Sequence, residues 1–178
     1  MATGQGWRLG ARTRKWYLVG HLVSGAAWFG LDLALGILAC TALLTDDPAV
    51  TATSLRALEF FAVWPMFTAS VLTLATGVVL GLGSKYGLVR YWWVAAKLAV
   101  NVLMAVLILV ALRPGIDAAA DYGRALVAGE TAARPADLLY PVFVAPSLLL
   151  FSYLMTVFKP WGLLRRSSAG KALAHDGA

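Results

Sequence analysis

The sequence predicts an all-α membrane protein, a bundle of four transmembrane helices with both termini in the cytoplasm. Three observations carry that reading. Of the 178 residues, 60% are hydrophobic and only 13% are charged, whereas a soluble domain is nearer half apolar and about a quarter charged. The mean hydropathy is +0.74. Four apolar runs, at about 16–44, 58–83, 91–112 and 138–158, reach the roughly 20 residues a helix needs to cross about 30 Å of hydrocarbon. The length allows one domain, a transmembrane unit over 1–166 followed by a small, polar, flexible cytoplasmic tail over 167–178.

The first run exceeds what a bilayer requires, so it tilts or projects. A basic segment with Arg8, Arg12, Arg14 and Lys15 precedes it. It is too long for the 7–15-residue apolar core of a signal peptide, which makes it a retained helix. In the second run, Trp64-Pro65 predicts a kink, because proline removes a backbone donor. The following GLGSKYG, residues 81–87, lacks the GK[ST] ending of a phosphate loop and has no strand before it, so it is a tight turn between helices. The third run opens on Tyr91, Trp92 and Trp93. After it comes the one long loop, 113–137, where Ile116, Ala119, Ala120, Leu126 and Val127 fall near helical spacing. A short amphipathic helix over about 115–129, lying on the outer surface, is expected there. Pro141 and Pro146 predict kinks in the fourth run.

Charge orients the helices. The N-terminus, the 84–90 turn and the C-terminal tail hold ten basic residues, while the other two loops hold four together with the acids Asp46, Asp47, Asp117, Asp121, Glu130 and Asp137. Under the positive-inside rule this places the chain, multi-pass, in a bacterial cytoplasmic (inner) membrane with N-in, C-in topology. The net charge of +6 is then loop charge, and no nucleic-acid partner is expected. Trp16, Tyr17, the Tyr91–Trp93 cluster and Trp161 mark the cytoplasmic interface. The single Cys40 excludes a disulfide framework and thiolate metal sites. His175 lies in the tail, outside any site.

Three ionisable residues fall inside the spans: His21, Asp32 and Lys97. Such groups cost about 2.5–3.5 kcal/mol each on insertion scales and mark function when retained. His21, Gly25, Trp28, Asp32 and Gly36 recur at steps of four and three, so they form one stripe of the first helix. Arg90, Trp93, Lys97, Asn101 and Met104 do the same on the third. Met66, Ser70, Thr73 and Gly77 line one face of the second, and Ser152 and Thr156 are four apart on the fourth. Membrane hydroxyls commonly bond only to their own helix, and stripes of this kind are equally the packing faces of a bundle. His21 and Lys97 each lie five residues beyond a tryptophan on helices that start from the same face, so they share a depth. Asp32 lies about 16 Å further along, too far to pair with Lys97. It is therefore neutral, or paired with Arg56 or Arg113. Lys97 has three options: it snorkels to the interface, it hydrogen-bonds to Asn101, hydroxyls or kink carbonyls, or it meets an anion from outside the chain.

HLVSGAAWFGLDL in the first helix and GLGSKYGLVRYWWVAAKL leading into the third resemble an uncharacterised family of small bacterial membrane proteins. That family is similar in pattern to the copper-resistance protein CopD and to the HemJ-type protoporphyrinogen oxidases. The resemblance covers roughly residues 16–112 and fades in the last helix. Its motifs are a His followed by W-x-G, and a W-x-x-x-K. HemJ-type proteins are four-helix membrane proteins that bind haem b through a His in the first helix and depend on a Lys in the third, positions that match His21 and Lys97. The resemblance thus implies His21 on haem iron and Lys97 holding a propionate, and Trp28 and Asn101, on the same helix stripes, complete the candidate binding site. The departures are that no second intramembrane His exists, that Met66, Met104 and Met155 are the conceivable further axial ligands, and that no Met, His or Cys cluster suits copper transport.

The sequence therefore predicts a small membrane protein binding haem, a porphyrin or another anionic ligand near the cytoplasmic side. One alternative is a non-catalytic subunit of a homo-oligomer or membrane complex. Another is a small transporter or channel using Asp32 and His21, which would need a continuous polar lining. No nucleophile–base pair or two-carboxylate site appears, so catalysis is disfavoured. If the chain is an enzyme, it is a HemJ-like oxidoreductase.

Overall fold

The computed structural model describes residues 9–83, 91–132 and 139–158, with the side chains of 139–142 excepted. The basic residues 1–8, the 84–90 turn and the tail from 159 onward lie outside the described residues. Among the described residues, six α-helices follow in order: α1 (Ala11–Leu44), α2 (Pro48–Phe61), α3 (Trp64–Leu82), α4 (Trp92–Leu107), α5 (Arg113–Ala128) and α6 (Leu139–Phe158). A five-residue π-helical segment, Ile108–Leu112, joins α4 to α5.

Helices α1, α3, α4 and α6 form the bundle. α1 packs on α3 and α6, and α4 packs on the same two, which closes a ring of four. Ala11–Leu44, Pro48–Leu82 and Trp92–Ala128 are each long and apolar enough to cross a membrane, and α6 is a shorter apolar helix. Large apolar side chains such as Leu22, Val23, Ile37, Leu72, Leu103, Val110 and Leu150 face outward. In water, so much exposed apolar surface would be a liability. In a bilayer it is the lipid-facing surface.

Two expectations are corrected. The second span does not begin as one helix at residue 58. It is preceded by α2, and the two are separated by a turn at Ala62–Val63. Pro65 explains the break, since it has no N–H and its ring clashes with the carbonyl four residues back, on Phe61. α2 starts sharply because Asp47 accepts a hydrogen bond from Ala49 N at 2.8 Å and Pro48 occupies the first turn. The helix expected over about 115–129 is present as α5, but it is continuous with the third span and packed on α2 instead of isolated on the surface. The chain stays helical from α4 through the π segment into α5, up to Gly129, whose φ of 72° suits glycine at a helix end. In α6, by contrast, the helix runs through Pro146 without a break.

α2 and α5 pack on each other and carry their own polar contacts. A Cβ on Gly123 would sit 3.1 Å from Ala52 O, so glycine is what lets the two backbones approach. Ile116, Ala119, Ala120 and Gly123 are buried on α5, and Thr51, Ala52, Ser54, Leu55 and Leu58 on α2. Arg124 bridges Glu59 and Asp121, each at 2.8 Å. Arg113 lies 3.9 Å from Asp117 and over the Trp64 ring. With 34 residues α1 is about 51 Å long, so it overshoots the hydrocarbon and pairs with α2. The core runs from this end into the bundle, through Leu55, Leu58, Met66, Ile108, Met104 and Trp28. The opposite half of the bundle is hollow.

Candidate functional site

That hollow is a cavity of about 350 Å³ between α1, α3, α4 and α6. It lies within the range of about 300–1,000 Å³ typical of ligand pockets. His21, Trp28, Lys97 and Asn101 all line it. Two helices thus bring all four sequence-predicted site residues to one space, as the shared depth of His21 and Lys97 requires. Met104 lines it too, whereas Met66 is core. Its lining contains Arg14 and Lys97 and no carboxylate.

His21 is fixed against α3. Its Nδ1 lies 3.0 Å from Thr73 O and 3.1 Å from Thr76 Oγ1. A carbonyl oxygen only accepts, so Nδ1 carries the hydrogen and Nε2 presents a lone pair. Thr76 spends its own hydrogen on Leu72 O at 2.6 Å, which leaves its oxygen free to accept from the imidazole. Ser24 donates to His21 O at 3.1 Å and accepts from Thr73 Oγ1 at 3.0 Å. Gly77 makes room for the ring, since a Cβ there would lie 3.1 Å from His21 Cε1. One turn further along α1, Gly25 faces the Tyr153 hydroxyl, 3.2 Å from where a Cβ would be.

Lys97 turns into the bundle and donates to Thr156 Oγ1 at 2.7 Å. Thr156 in turn donates to Ser152 O at 3.0 Å. Of the three options open in the sequence, this is the hydrogen bond to an internal hydroxyl. Among the described residues no carboxylate pairs with Lys97, and an ammonium has three hydrogens to give, so two stay available to a ligand. The back-bonding expected of membrane hydroxyls holds for Ser70, Thr76 and Thr156. It fails for Thr73, which reaches across to α1.

Asp32 lies off the cavity and is 1% exposed. The expected pairing with Arg56 or Arg113 is not found. Arg113 is engaged with Asp117 and Trp64, and the Arg56 stem packs beside Gly123 of α5. Three buried side-chain atoms have no hydrogen-bond partner among the described residues: Trp28 Nε1, Asn101 Oδ1 and Asp32 Oδ2.

Two lining residues escape a reading of periodicity, Arg14 and Tyr153, while Gly77 falls on the expected face with Thr73 and its role as a seat for the ring shows only in the structure. Tyr153 looks like one more aromatic residue in an apolar run, and its edge-to-face contact with Phe29, at 6.2 Å between centroids, depends on how α6 docks. No group of three or more His, Cys, Asp or Glu side chains able to hold a metal ion occurs among the described residues. No family model, curated protein or solved structure matches the chain.

Proposed function

We propose that this membrane protein binds an amphiphilic ligand carrying an anionic group, in the cavity between the ends of the four bundle helices, with haem b or a porphyrin as the ligand to which the resemblance points. One observation carries the reading: a histidine lone pair and a lysine ammonium share one apolar cavity whose lining contains no carboxylate. An unmatched cation in such a place favours an anion, because charge-assisted bonds strengthen where water is scarce. Apolar walls from α3, α4 and α6 hold the body of the ligand. Under the positive-inside orientation the cavity faces the cytoplasmic side of a bacterial inner membrane, with Arg14 at its mouth.

His21 and Lys97 are the residues that would hold a haem here. The Nδ1–H of His21 is held by a backbone carbonyl, which fixes the tautomer and leaves Nε2 as the atom that would meet iron. Lys97 is the group for a propionate, and Met104 is the one methionine among the lining residues. A bound haem would supply one-electron chemistry. The chain itself orients the imidazole and neutralises the acid group.

The test is an absorption spectrum of detergent-purified protein from cells supplied with haem precursor, repeated for His21→Ala. A Soret band present in the first and absent from the second is expected. A colourless wild-type protein overturns the haem reading. A second reading, an accessory subunit or homo-oligomer, draws support from a shallow apolar groove along α4 beside Ala95, Ala99 and Val102. A colourless protein that copurifies with a fixed partner would favour it.

A further inference from the structure

Buried polar atoms in native proteins are nearly always hydrogen-bonded, to protein or to ordered water. The three unpartnered ones named above are not scattered. Trp28 and Asn101 line the cavity, and their free atoms are Nε1, a donor, and Oδ1, an acceptor. Asp32 follows Trp28 by four residues on α1 and is buried on the same face, one turn or about 6 Å further along. Trp28 and Asp32 are each 1% exposed. A donor and an acceptor on the cavity wall are thus followed by a carboxylate oxygen one turn beyond Trp28 on α1, and water molecules would find in them the two to four polar partners they require.

We infer that water extends the cavity past Asn101 and Trp28 to Asp32, making Asp32 a proton-exchanging carboxyl connected to the one membrane face on which the cavity opens. The step is the transfer of a proton between the Asp32 carboxyl and a neighbouring water, giving carboxylate and hydronium in one direction and the acid in the other. Few other charged groups compete for it. α3 carries no ionisable side chain, and α6 contributes only Tyr153 among its described side chains. On α2, Arg56 and Glu59 are exposed, and Glu59 is bridged to Arg124. Lys97 on α4 sits at the level of His21, bonded to Thr156. Asp32 is outside the cavity lining, but its route to the membrane face runs through the cavity, so the test uses protein without added ligand.

Infrared spectroscopy of the full-length protein in lipid films, perfused with buffers of stepped pH in H₂O and D₂O, tests it. A carboxyl carbonyl band that responds to pH, shifts promptly in D₂O and is missing from Asp32→Asn is expected. Asn101→Leu, which removes one water partner, should keep the band and slow its exchange roughly tenfold. If Asp32→Asn does not fold, Asp32→Glu assigns the band by displacing it. The inference is overturned if no Asp32-dependent band changes over the pH range in which the fold survives. It is equally overturned if the carboxyl exchanges no faster than the buried helical amides of α1, and an Asn101→Leu variant with unaltered exchange removes the proposed route.

Discussion

Lys97 illustrates how one charge can be retained in a membrane helix. Its ammonium leaves water for a single threonine hydroxyl, and one neutral partner does not offset the loss of hydration. Replacing it with a methionine of similar length should therefore leave thermal stability in detergent unchanged or slightly raised. Ligand retention should fall by roughly 10–100-fold, the value of a hydrogen bond to a charged group. Equal retention by wild type and Lys97→Met, measured by ligand titration of both, would remove Lys97 from the site. Gly77 gives a second residue-scale prediction with two opposing effects. Gly77→Ala gains about 1 kcal/mol of helix propensity, but the new Cβ meets the imidazole at 3.1 Å and pushes it from Thr73 O. Thermal stability should thus hold while affinity at His21 falls, which paired melting and ligand-titration curves would separate.

At the scale of elements, the pairing of α2 with α5 includes one close backbone approach, at Gly123. Gly123→Leu places a side chain against the Ala52 carbonyl and the Leu55 side chain. The backbones must then separate, at a cost of about 1–3 kcal/mol. The loss should appear as a lowered unfolding temperature, with the four-helix bundle cavity and its ligand binding intact, since Gly123 is remote from that lining. By comparison the Arg124 bridges to Glu59 and Asp121 are half-exposed and worth little in water. Asp47→Ala removes the cap on α2 and should cost about 1 kcal/mol, measurable in the same melt. The π segment at Ile108–Leu112 absorbs the change of helical phase between α4, which faces the bundle, and α5, which faces α2.

For the whole molecule, the balance is between a packed end and a hollow one. The packed end has the continuous core from Leu55 to Trp28, and the hollow end holds the histidine and the lysine. Rigid packing at one end keeps the helices registered, so that His21 meets α3 and Lys97 meets α6 at the other. The outward apolar surface predicts that the protein stays with the membrane pellet after an alkaline carbonate wash and is released only by detergent. Recovery in the carbonate supernatant, read by immunoblot, would contradict a spanning bundle.

Much of this was legible in the sequence because membranes impose blunt rules. Length and apolarity mark the spans, and a period of 3.6 puts His21 with Trp28 and Lys97 with Asn101 on their own helix faces. Equal distance from interfacial tryptophans places His21 and Lys97 at one depth, and that reasoning depends only on the rise per residue. What the sequence could not determine is everything that depends on one helix meeting another. The helical pairing of α2 with α5 was hidden because α2 is rich in Thr, Ser and Ala and reads as polar loop until Leu55 and Leu58 find Gly123's neighbours to bury against. The partner of Lys97, the seat of His21 on Thr73 and Gly77, and the engagement of Arg56 and Arg113 away from Asp32 were likewise decided by tertiary structure. Periodicity fixes the direction of a side chain around its own axis, whereas the atom it touches is set by the docking of a second helix, whose rotation and register no single strip of sequence contains.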